Sequence, residues 1–264
     1  MALREAGISL PIMVMNPAPD DFALLQRYRL EPEIYSFELL NAYLETFGAA
    51  SAIPPTHQPA EPPPIHLKLD TGMRRLGFDE ADGLALAALL RQHGPRLPVV
   101  ALLTHLAAAD DPAHDDFTRA QLASFERLSA VLTTALGHPV LRHALNSAGI
   151  VRFPEAQYDM VRLGIGLHGV DVAAPTTAAA GATDAVGLRP VSTLRTSVSQ
   201  IKTLPAGHTV GYGRRGTAAP TERRIATLAI GYADGYDRRF GHGVARCACA
   251  ASWPRWSAAC AWTW

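Results

Sequence analysis

The chain has 264 residues, 48% of them hydrophobic and 18% charged, and 24 basic side chains against 24 acidic ones leave a formal net charge of zero. That length allows one large or two modest domains with a sizeable core, and the balanced charge argues against nucleic acid or an acidic membrane surface as partner. No apolar run approaches the roughly 20 residues that span a bilayer, and the opening MALREAGISLP has no apolar stretch of signal-peptide length, so a soluble cytoplasmic protein is expected.

In chain order, ALREAGI reads as the end of a helix, so an opening strand or two is expected to be missing. Candidate strands follow at 11–15, 33–37, 65–70, 99–106, 141–146 and 159–164. The clearest helix between them is DFTRAQLASFERLSAVLTTALG. In it Phe117, Leu122, Phe125, Leu128 and Leu132 recur near helical spacing, Asp115 or Asp116 can cap the amino end, and Gly137 can end it. Strands alternating with helices imply right-handed β-α units and a parallel sheet. Six such units fit either a doubly wound sheet or an incomplete eight-stranded barrel.

After about residue 172 the character changes. The small-residue stretch 173–189 reads as a linker. TLRTSVSQIKTL then alternates like a strand, PAGHTVGYGRRG reads as turns, and RRIATLAIGYADGY contains another β-like run, so 190–245 looks like the start of a mainly β domain. Composition is uneven at the far end: all three cysteines (Cys247, Cys249, Cys260) and all four tryptophans (Trp253, Trp256, Trp262, Trp264) lie there. That spacing, without nearby His or carboxylate, is a poor zinc pattern, and no metal site is expected. Lysine occurs only at Lys68 and Lys202.

The segment IHLKLDTGMRRLGF (65–78), written as a strand, places Ile65, Leu67 and Leu69 on one face and His66, Lys68 and Asp70 on the other. That polar face belongs either to solvent or to a ligand site. In parallel β-α architectures ligands bind at the carboxyl ends of strands. Lys68, Arg75, His105, Ser147 and Arg162 with Gly164-Ile165 all fall at such ends. Singly, each also reads as a satisfied structural residue or a polar turn. Together they favour one rim, where the Ser147 hydroxyl and backbone N–H groups around Ser147, Gly164 and Ile165 suit a phosphate.

HLKLDTGMRRLGF, LLTHLAAAD, NSAG, DMVRLGIGLHG and IATLAIGYADGYDRRF, in that order, resemble bacterial alanine racemase. That family is a pyridoxal-phosphate enzyme built as an eight-stranded α/β barrel followed by a β domain. The resemblance runs from about residue 3 to residue 245, and PIMVMNP also resembles racemase halves fused to a cell-wall ligase. It implies an α/β fold consisting of an incomplete eight-stranded barrel (1–172), the linker and part of the β domain. It also implies interconversion of L- and D-alanine, supplying D-alanine for peptidoglycan, by a homodimer.

By the same resemblance, Tyr232 would be a phenolic acid/base acting across the dimer interface, and His105 would support it through a hydrogen bond. Arg162 would contact the pyridine nitrogen, and Ser147, Gly164 and Ile165 would hold the phosphate. Lys68 would match a carbamylated lysine, and Arg75 would pair with that carbamate and help place the substrate carboxylate. Racemisation removes a proton from one face of the α-carbon and returns one to the other, so two opposed acid/base groups are required. An arginine at the pyridine nitrogen disfavours protonation there and weakens the electron sink.

The family's cofactor-linking lysine, in a motif like VKANAYGHG, has no counterpart in the chain. Past GHG, where the family has a motif like GRVCMDM, the chain reads WPRWSAACAWTW. Back-translated and read one base earlier, that tail accommodates Gly-Arg-Val-Cys-Met-Asp-Met, so 246–264 is expected to be a frameshifted translation. As given, the chain is expected to be inactive. Competing readings are a racemase of the same fold for another amino acid such as serine, and a non-catalytic pyridoxal-phosphate-binding protein; GYADGY argues against a single-barrel carrier.

Overall fold

The computed structural model describes residues 1–47, 61–172, 187–214 and 219–240. The chain divides into two units, Met1–Val191 and Ser192–Trp264. In the first, strands β1 (Met13–Val14), β2 (Glu31–Ile34), β3 (Ile65–Lys68), β4 (Val99–Leu103) and β5 (Leu141–His143) form one parallel sheet in sequential order. Helices α1 (Ala2–Glu5), α2 (Phe22–Arg27), α3 (Phe37–Phe47), α4 (Gly83–His93), α5 (Asp115–Leu136) and α6 (Ser147–Arg152) precede, separate or follow them.

Register sorts the two faces of this sheet. Ile34 lies opposite Leu67 and Leu67 opposite Leu102, and these side chains join one apolar core with Leu40 and Tyr43 of α3, Leu86 and Leu90 of α4, and Phe125 and Leu132 of α5. Each such side chain stabilises the fold by roughly 1.5–3 kcal/mol through removal from water. On the other face Glu33 lies opposite His66, Lys68 opposite Leu103, and Leu103 opposite His143. A doubly wound sheet reverses its strand order and covers both faces with helices. Sequential order, with the helices against the apolar face and polar groups on the other, is the arrangement of an incomplete α/β barrel.

Three expectations need correction. The sixth segment, 159–164, is not a strand. It lies along β5, with Asp159 N–H donating to Arg142 O (3.1 Å) and Arg162 N–H to Leu145 O (3.0 Å). The Arg142 N–H, however, is taken by the Asp159 carboxylate at 2.8 Å, so a side chain occupies the position of a ladder rung. Second, the amino end of α5 is not capped by Asp115 or Asp116: both sit in its first turn behind His114, and Asp111 accepts from Ala113 N–H in the turn before it. Gly137 does end α5, in the left-handed conformation (φ 73°) that a residue without Cβ adopts cheaply. Third, Phe117 is 45% exposed rather than core.

In the second unit, β6 (Val198–Leu204) pairs antiparallel with β7 (Arg223–Leu228). Only the later part of TLRTSVSQIKTL is strand, and GYADG forms a 3-10 turn at Tyr232–Asp234. Most of the expected linker, 173–186, and the whole tail, 246–264, lie outside the described residues.

Candidate functional site

The polar face of β3 is neither solvated nor open. His66 and Lys68 are 4% and 2% exposed, and each meets a glutamate two residues apart on β2: His66 Nε2 lies 2.8 Å from Glu31 Oε2, and Lys68 Nζ donates to Glu33 Oε1 at 3.0 Å. Period-two alternation on adjacent parallel strands stacks these pairs one above the other. Asp70 has a different role. Its Oδ1 accepts from Gly72 and Arg74 N–H at 2.9 and 3.0 Å, folding the following loop back onto the strand. There Gly77 (φ 131°) comes so close to the strand that a Cβ would lie 2.6 Å from Asp70 N.

Arg162 reaches across the ends of β4 and β5. Nη2 donates to Thr104 O (2.6 Å) and Ala144 O (3.0 Å), and Nη1 to His143 O (3.1 Å) and His143 Nδ1 (2.6 Å). His105 Nδ1 lies 3.5 Å from Nη2. A guanidinium only donates, so His143 accepts at Nδ1 and carries its proton on Nε2. Among the described residues that nitrogen and Nδ1 of His66 have no hydrogen-bond partner, and the two rings meet edge to face with centroids 5.9 Å apart.

Burial, and then Arg162 and His66, push the His143 pKa down to about 3. His105 is pushed down to about 4, first by burial and then by Arg162, Arg75 and Lys68. Burial lowers Arg162 itself to about 10, opposed by the charge of Glu33. The charges of Arg162, Arg75 and Lys68 are thus all felt at the neutral imidazole of His105. Among the described residues Arg75 has no ion-pair partner; its side chain is exposed at the end of the β3 loop.

Gln121 of α5, 1% exposed, anchors the segment that carries His105. Its Nε2 donates to His105 O (3.2 Å), and its Oε1 accepts from Ala107 N–H (3.0 Å). Nearby, the Thr71 and Thr104 hydroxyls meet at 2.7 Å.

At the start of α6, Ser147 Oγ accepts from the N–H groups of both Gly164 and Gly166, at 3.0 and 3.1 Å. Two backbone donors therefore converge on one oxygen. A Cβ at residue 166 would meet Leu163 Cδ1 at 2.9 Å, the far end of a half-exposed side chain that can turn aside. Ile165 lies between the two donors with its side chain half exposed. Tyr232 belongs to the second unit. It opens the GYADG turn, which is held by Gly231 N–H donating to Asp234 Oδ2 (2.9 Å), and its ring lies under the Arg238 guanidinium at 5.9 Å.

Sequence reasoning missed Glu31, Glu33, His143, Gly166 and Gln121. The acids of LEPEIYS stood at alternate positions, which is the signal for one face of a strand. What they would face was not visible in that segment alone.

Two family models match the chain: alanine racemase, N-terminal domain, over residues 1–172, and alanine racemase, C-terminal domain, over residues 191–251. A curated alanine racemase from Symbiobacterium thermophilum is 38% identical over 252 residues, covering 92% of this chain and 60% of that protein. The structure of alanine racemase from Bacillus anthracis with bound L-Ala-P superposes with a TM-score of 0.73 at 27% identity, covering 93% of this chain and 60% of that one. Alanine racemase from Bartonella henselae, with covalently bound pyridoxal phosphate, gives a TM-score of 0.70 at 23% identity, over 92% and 61% of the two chains, a likeness of fold. The chain thus spans about 60% of the length of the relatives it matches.

Proposed function

The chain belongs to the alanine racemase family, and from that premise we propose that it carries the phosphate-holding and pyridine-facing part of a racemase site that interconverts L- and D-alanine. The observation that carries this reading is the rim itself. Arg162 is fixed by four acceptors beside two neutral histidines, next to the pair of N–H groups converging on Ser147 Oγ.

The donor set fits pyridoxal phosphate. The Ser147 hydroxyl and the Ile165 N–H would donate to a phosphate dianion, and the Gly164 and Gly166 N–H groups would turn to it from Ser147 Oγ. Arg162 offers a positive charge to the pyridine nitrogen, and like-charge repulsion holds that nitrogen unprotonated. When bound, the cofactor supplies a conjugated ring that draws electron density from the substrate α-carbon. The chain's own groups do the rest. Arg75, whose side chain is exposed, attracts the substrate carboxylate. Neutral His105 accepts a hydrogen bond from the phenol of Tyr232 of the partner subunit, which moves a proton on one face, in a homodimer serving D-alanine supply for peptidoglycan. Of the two lysines, Lys68 is engaged by Glu33 and Lys202 stands on exposed β6. Neither is proposed as the covalent anchor.

The test is a fluorescence titration of the chain with pyridoxal phosphate, followed by borohydride reduction and intact mass. Saturable binding that Arg162→Met abolishes, with no cofactor mass fixed at Lys68 or Lys202, is the expected result. Binding unaffected by that change, or a reduced adduct on either lysine, overturns the reading.

A further inference from the structure

Glu33 is a buried acid that the family resemblance did not single out. Its side chain is 0% exposed and that of Lys68 3%, with Oε1 and Nζ 3.0 Å apart. Its second oxygen accepts from Asn16 N–H at 3.3 Å. Both ions of this pair are out of water, and each is the other's charge partner.

We propose that Glu33 keeps Lys68 as an ammonium ion and thereby closes it to carbamylation, the modification that the resemblance assigns to this lysine. Forming the carbamate from the ammonium proceeds as Lys-NH3+ plus CO2 giving Lys-NH-COO− plus two protons. One proton leaves to expose the nitrogen lone pair, and that pair forms the new bond to carbon while a C=O π pair moves onto oxygen. The second proton leaves from nitrogen. At this position the reaction removes the ion-pair partner of a fully buried carboxylate and places a second anion beside it. Coulomb repulsion between like charges a few ångströms apart is poorly screened there, and a buried ion stripped of its partner is strongly disfavoured. The same carboxylate favours the positive form of Arg162.

The consequence is a change of sign within the site. Lys68 contributes a fixed positive charge beside His105 and Arg75, where a carbamate would contribute a negative one. This follows from the pair itself and stands whether or not the chain binds pyridoxal phosphate.

The experiment equilibrates the full chain with 13C-bicarbonate and reads carbamate carbons by 13C NMR, for the unsubstituted chain, Glu33→Gln, and Glu33→Gln with Lys68→Met. No Lys68-dependent carbamate in the unsubstituted chain, and one in Glu33→Gln that vanishes with Lys68→Met, is expected. A Lys68-dependent carbamate in the unsubstituted chain overturns the proposal, and so does its absence from a folded Glu33→Gln. Should Glu33→Gln not fold, 15N-lysine labelling of the unsubstituted chain decides. With two lysines, and Lys202→Arg to assign them, Lys68 gives an ammonium nitrogen signal. An amine or carbamate signal overturns the proposal.

Discussion

Arg162 donates to Nδ1 of His143 at 2.6 Å, and because a guanidinium has no lone pair to offer, this contact requires the imidazole to be neutral. Protonating His143 would set two cations against each other inside the sheet.

Stability should therefore fall in acid. The folded values of His143 and His105, about 3 and about 4, lie below the ordinary 6.5. Between these limits the unfolded chain binds more protons than the folded one. The contribution of the neutral rings is complete above about pH 6.5 and is lost as pH falls towards the folded values, at no more than about 1.4 kcal/mol per pH unit for each histidine. Thermal melts from pH 7 to pH 4 should show this slope, and His143→Gln, whose amide oxygen still accepts from Arg162, should make it shallower. An unchanged slope in the variant would remove His143 from the account.

Arg162→Lys keeps the charge and loses the fork. One ammonium cannot serve Thr104 O, His143 O, Ala144 O and His143 Nδ1 together, so buried acceptors are left unpaired. Urea denaturation should report a loss of about 2 kcal/mol. A variant as stable as the parent would show these contacts to be energetically idle.

Ser147→Ala removes the oxygen on which two backbone donors converge. Affinity for pyridoxal phosphate should fall by roughly tenfold, the worth of about one charge-assisted hydrogen bond, with a lower melting temperature as the Gly164 and Gly166 N–H groups lose their acceptor. Unaltered affinity would place the phosphate elsewhere.

Gln121→Leu preserves bulk but strands Ala107 N–H and His105 O. The expected cost is about 2 kcal/mol in chemical denaturation, together with faster amide exchange at Ala107. Parent-like exchange there would separate Gln121 from the His105 segment.

Arg75 is exposed at the end of its loop. In a complete enzyme, Arg75→Ala should raise KM for alanine while leaving pyridoxal-phosphate affinity alone. Equal loss of both would assign it to the cofactor instead.

The sequence by itself determined the parallel β-α order and the apolar face of the sheet, and it singled out His105, Ser147 and Arg162. Alternation and helical spacing are local properties of the chain, and the motifs around those residues are contiguous. It went wrong where a side chain outcompeted the pattern: 159–164 alternates like a strand, yet Asp159 takes the N–H that a ladder needs. Only the tertiary structure decided what the polar face of β3 does. Glu31 and Glu33 are more than thirty residues from His66 and Lys68, and whether they meet depends on the β2–β3 register. Shifting one strand by one residue would turn every one of these groups to the other face. The ion pair at Lys68 and the neutral histidines around Arg162 are consequences of that register and of the burial it creates.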